Sequence, residues 1–123
     1  MGTRSLTFVY DGDQPVLNLY RQFDGYPSGH GAELAEFLDG FEVVNGYGEV
    51  KPKLANGMGC LAAQLVAHFK QSVGGFYIHP VTSTDCWQEY EYHVYEDKVV
   101  VKNPTEVIFS GAWQDLNQFC MKD

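Results

Sequence analysis

The chain opens in alternation. Leu6, Phe8 and Tyr10 fall on one side of an extended segment over residues 5–10, and Leu17, Leu19, Arg21 and Phe23 share one side of a second over residues 16–23. Between them Asp11-Gly12-Asp13-Gln14-Pro15 is turn chemistry, so the pair predicts an antiparallel hairpin. The two-residue period returns late in the chain. Residues 76–79 predict a short strand stopped by Pro80, residues 87–95 and 98–103 a second hairpin across Glu96-Asp97, and residues 107–110 a further strand. With Tyr90, Tyr92 and Val94 on one side and Glu89, Glu91 and His93 on the other, this late strand should have one dry face and one wet face.

In the middle the period lengthens. Leu34, Phe37 and Leu38 set against Glu33, Glu36 and Asp39 predict a short helix over residues 32–39, stopped by Gly40. Leu61, Leu65 and Phe69 recur every four residues and are flanked by Ala62 and Val66, which predicts a longer helix over residues 60–71. Cys60, Ala63 and Ala67 put small groups on its other side, so this helix is expected to be buried around most of its circumference. The turn-rich residues 24–31 read as a loop that excludes helix. Residues 41–52 read as an ordered loop with an extended piece at 42–44, and residues 112–121 as a last helical turn docked by Trp113, Leu116 and Phe119. Strands grouped on either side of the helical region predict a single α+β domain over residues 1–123. Its architecture would be a twisted, mostly antiparallel sheet of five or six strands packed against two helices.

Composition narrows the class of partner. Hydrophobic residues make up 45% and aromatics 15% of the chain, enough to build a core. The formal charge of −8, with Arg4 and Arg21 as the two arginines, argues against binding DNA, RNA or an anionic membrane surface. Cys60, Cys86 and Cys120 are widely spaced and include no CxxC pair, which points to thiols in a reducing cytoplasm rather than a disulfide framework or a zinc site. His30, His68, His79 and His93 show no metal-ligand spacing, and no cofactor is expected. No apolar signal segment opens the chain. Met1-Gly2 begins like a myristoylation signal, but Leu6 stands where Ser or Thr is needed.

Both predicted helices are entered through glycine-rich stretches. Unpaired N–H groups and a partial positive charge at helix starts attract phosphate or carboxylate, and glycines let a ligand reach the backbone. Ser28, Gly29, His30 and Gly31 precede the first helix, and Asn56, Gly57, Met58 and Gly59 the second. Arg21 would add a bidentate phosphate contact, with Tyr20, Phe23 and Tyr26 as stacking surface. The expectation is a non-enzymatic homo-oligomer that captures a small anionic ligand such as a cyclic nucleotide in a pocket shared by the two stretches. Set against it, the glycines make tight turns, Ser28 caps a helix and Arg21 neutralises an acid such as Asp24. An alternative is a cysteine-dependent hydrolase or amidase, with Cys60 at a helix start as nucleophile and His79 as base. That order of elements resembles papain-like and NlpC/P60 hydrolases. A third reading is an acidic protein-interaction module, motivated by the charge and the Glu rows.

The stretches MGTRSL at residues 1–6, YRQFDGYPSGHG at 20–31 and NGMGCLAAQ at 56–64 resemble an uncharacterised family of small proteins encoded by bacteria and their phages. The resemblance spans most of the chain and implies a compact cytosolic protein, with no activity or catalytic residues to carry over. Analogy with other small phage proteins extends the ligand-capture expectation to counter-defence by sequestering a nucleotide second messenger.

Overall fold

The computed structural model describes residues 2–122; Met1, at the head of the MGTRSL stretch, and Asp123 lie outside the described residues. Among the described residues the order is β1 (Ser5–Asp11), β2 (Gln14–Arg21), a π-helical turn (Pro27–Gly31), α1 (Ala32–Leu38), β3 (Glu42–Val44), β4 (Leu54–Asn56) and α2 (Met58–Phe69). There follow β5 (Phe76–Ile78), β6 (Tyr90–Val94), β7 (Val99–Lys102), β8 (Val107–Gly111) and α3 (Trp113–Met121). The protein is α+β, with a mixed six-stranded sheet ordered β5-β2-β1-β6-β7-β8 and a smaller parallel pair, β3-β4.

Hairpins β1-β2 and β6-β7 form as their alternation and turns dictate, in registers Thr7↔Leu19 and Tyr92↔Val101. They meet along β1 and β6, which run parallel with Thr7 beside Tyr92 and Val9 beside Val94. This seam is the departure from a wholly antiparallel sheet. It needs a long connection, because β5 lies outside β2 while β6 lies beyond β1. Residues 79–89 make it by crossing one face of the sheet.

Register settles which side chains go where. Val9, Leu17, Leu19, Tyr92, Val94, Val99 and Val101 face the helices and join Leu34, Leu38, Leu61, Leu65 and Leu116 in one core. Burying each such leucine contributes about 1.5–3 kcal/mol. The opposite face carries Leu6, Phe8, Asn18 and His93, and these too are buried, His93 being only 8% exposed. The expected wet face of β6 is thus packed at His93, while Glu91 is partly exposed and Glu89, just before the strand, is exposed. On this face the Asn18 side-chain amide donates to the carbonyls of Pro80 (3.0 Å) and Ser83 (2.8 Å), clamping the crossing segment onto the sheet.

Three further expectations are corrected. The stretch before α1 is helical after all, with Pro27 opening a single π turn in which the Ala32 N–H reaches the Pro27 carbonyl. Proline is tolerated there because its missing N–H would have no partner in a first turn. The long helix starts at Met58, two residues early, on Gly57 at φ 86°. It is also buried along one face only. Met58, Leu61, Ala62, Leu65 and Phe69 point inward, while Gly59, Ala63, Ala67 and His68 are exposed, so its small residues face outward.

Candidate functional site

The residues expected to form one anion pocket are dispersed. Arg21 pairs with Ser5 at the start of β1, whereas the entrance to α2 lies beside Asp11 at the end of β1. Strand rise puts these ends about 20 Å apart. Tyr20 and Arg21, being adjacent in β2, also project to opposite faces of the sheet. Tyr20 accepts from Arg4 Nε (3.0 Å) and stacks on His79, while Phe23 and Tyr26 stand exposed at the surface.

The first glycine stretch is packed shut. Its amides are spent internally: Gly29 N–H reaches the Tyr26 carbonyl and His30 N–H the Asp24 carbonyl. A Cβ on Gly29 would lie 2.6 Å from the Asp24 carbonyl oxygen. Ser28 makes no side-chain cap. His30 is wholly buried between Thr7 Oγ1 (2.7 Å) and Arg21 Nη1 (3.2 Å). Burial, reinforced by the Arg21 charge, pushes its pKa down to about 3. It is therefore the neutral imidazole, and accepting from Arg21 at Nδ1 makes Nε2–H the donor to Thr7. Arg21 also meets Glu33 Oε2 at 3.0 Å and lies over the Phe76 ring. The arginine does neutralise an acid, but that acid is Glu33 rather than Asp24, and its Nη1 serves both Glu33 and His30.

The second stretch is open. Gly57 and Gly59 have nothing within 4 Å of where a Cβ would stand. Met58, Gly59 and Cys60 line a cleft of about 540 Å³ with Asn45 and Asn56, rimmed by Asp11 and Glu96. Those two carboxylates oppose an anion. The cysteine alternative is likewise separated: Cys60 Sγ donates to Gln64 Oε1 on the helix side, and His79 stacks on Tyr20 on the other face. The two do not form a dyad. Among the described residues no group of three or more His, Cys, Asp or Glu is placed to hold a metal ion.

What the fold does assemble lies where β6, β7 and the crossing segment meet. A cleft of about 540 Å³ is walled by Asp85, Glu89, Glu91 and Glu106, with Lys102 as its one ammonium and Tyr90 and Val107 among its other walls. Glu91 is tightly held, accepting from His93 Nε2 (2.9 Å) and Gln88 Nε2 (2.9 Å). The His93 bond, aided by Gln88, keeps its carboxyl below the usual carboxylate range despite burial. His93 in turn bonds Tyr10 through Nδ1 at 2.6 Å. Burial, and then the neighbouring Tyr95, raise the Tyr10 phenol well above its ordinary value, so Tyr10 remains a proton donor.

Trp87 sits within the cleft-lining segment, between Asp85 and Gln88, and is 84% exposed. Its φ of 66° is left-handed, a conformation costing a side-chain-bearing residue about 1–2 kcal/mol. Gln88 holds the turn by accepting from Cys86 N–H and donating to the Thr84 carbonyl, both at 2.8 Å, on top of its bond to Glu91. Sequence periodicity placed Trp87 inside a strand and so missed it. The Glu rows signalled the acidic wall, but nothing local in the sequence signals an indole held out into solvent.

No helix of the described residues is long and apolar enough to cross a membrane. No protein-family model, characterised protein or solved structure matches the chain.

Proposed function

We propose that the protein is a non-enzymatic docking module whose acidic cleft and Trp87 receive a basic polypeptide segment. One observation carries this: Trp87, almost fully in solvent and in a costly left-handed backbone conformation, belongs to the segment that contributes Asp85, Gln88 and Glu89 to the acidic cleft. Such outliers survive where function needs them. Indoles dominate binding hot spots and attract Arg and Lys through their π face. The carboxylates supply the complementary field and speed encounter.

Capture of a small anionic ligand such as a nucleotide would draw on the open α2 entrance, which lies away from Arg21 and has Asp11 and Glu96 on its rim. The cation-seeking cleft is the better supported site. The thiols of Cys60, Cys86 and Cys120 suit a reducing cytoplasm, in keeping with the resemblance to small bacterial and phage proteins.

Titration with a labelled oligo-arginine peptide at low and high salt tests the reading. Binding should weaken with salt and fall about tenfold or more in Trp87→Ala. Glu89→Gln with Glu106→Gln should act in the same direction. Affinity unchanged by all three substitutions, or no binding at low salt, would remove it.

A further inference from the structure

Two Asn-Gly dipeptides, Asn45-Gly46 and Asn56-Gly57, come together at the opposite end of the sheet from the acidic cleft. By sequence they are equally labile. A glycine nitrogen, unhindered by a side chain, can add to the Cγ of the preceding asparagine and expel ammonia.

The fold makes them unequal through one hydrogen bond. Gly46 N–H donates to Asn56 Oδ1 at 2.7 Å. For Asn45 the attacking atom is that same Gly46 nitrogen, which must give up the very proton the bond retains. For Asn56 the bond aims a donor at the oxygen where negative charge develops as the Gly57 nitrogen adds to Cγ. Asn56 is exposed, and Gly57, at φ 86°, has open space around it.

We propose that Asn56 is a self-deamidation site, with the Gly46 amide stabilising the tetrahedral oxyanion, and that Asn45 is protected by the same bond. Gly57 N loses its proton to hydroxide and bonds to Asn56 Cγ. The Cγ–Nδ2 bond then breaks, and Nδ2 leaves as ammonia with a proton from water. Water opens the resulting succinimide, at Cγ to give aspartate or at the Asn56 backbone carbonyl carbon to give isoaspartate. No electrons are exchanged with a partner. The new carboxylate stands at the start of α2, where the positive helix end favours it, and adds charge to a cleft already rimmed by Asp11 and Glu96.

The test is peptide mass mapping of the intact protein during incubation at mildly alkaline pH, folded and in urea. In the folded protein Asn56 should convert about tenfold faster than Asn45, and in urea the two rates should converge. Asn56→Ala, with its fold checked by circular dichroism, should release Gly46 and raise the Asn45 rate. Equal rates in the folded protein, a lead for Asn45, or an Asn56 rate no greater than that of Asn103, which lacks a following glycine, would each overturn the proposal.

Discussion

Gly31 and Cys120 touch so closely that a Cβ on residue 31 would lie 2.7 Å from the Cys120 sulfur and 3.3 Å from the Tyr92 ring. The glycine is thus required by packing, and it sets how near the π turn can approach α3. Gly31→Ala should destabilise the protein by about 1–3 kcal/mol. Pairing it with Cys120→Ala, which removes the obstructing sulfur, should recover part of that loss. Urea denaturation of the two single variants and the double variant measures the coupling.

His30 gives the stability a pH dependence with a defined sign. Its folded pKa, about 3, lies below the unfolded value near 6.5, so between those limits the unfolded chain binds the extra proton. Its stabilisation is complete above the unfolded value and is lost as pH falls through that window, by up to about 1.4 kcal/mol per pH unit. Glu91, with its pKa depressed by His93, adds a loss in the same direction at lower pH, below the ordinary carboxylate range. Chemical denaturation at successive pH values should show both slopes. His30→Gln should abolish the upper one.

Ser5 Oγ is fully buried and has no hydrogen-bond partner among the described residues. Ser5→Ala should therefore raise stability, by about 1 kcal/mol, since a desolvated hydroxyl is removed and no bond is lost. Thermal unfolding of the single variant checks this.

Trp87 should show opposite effects on stability and binding. Trp87→Gly relieves the left-handed strain, so stability should hold or rise by up to about 1 kcal/mol, while affinity for the basic peptide collapses. A loss of stability comparable to that of a core truncation would mean that the indole packs in solution.

Much of the fold could be read from periodicity. Leu17 and Leu19 and the Leu61-Leu65-Phe69 stripe each fixed an element and the face it turns to the core, whereas Leu6, Phe8 and Tyr10 fixed a strand but lie on the other face of the sheet. What escaped were consequences of long-range contact. His93 looks like a solvent-facing strand residue because its partner Tyr10 lies 83 positions away. Arg21 looked available because Glu33 and His30 close on it only after the π turn forms. The glycines at 29 and 31 signalled backbone approach correctly, but the approaching groups were Asp24 and Cys120 rather than a phosphate. Charge patterning came nearest to the candidate site, since the acids around Glu91 were visible as a row even though the cleft they wall was not.

The parallel seam between β1 and β6 bears on how the chain reaches this state. Each flanking hairpin closes over a short span, whereas Thr7 must find Tyr92 across most of the polypeptide. Closing so large a loop costs entropy before any contact repays it, so the hairpins can form early and the seam joins late. The slow step of folding should then be the one that also lays the 79–89 crossing, with Trp87 in it, over Asn18, so that the proposed docking surface is completed only as the two halves of the sheet unite.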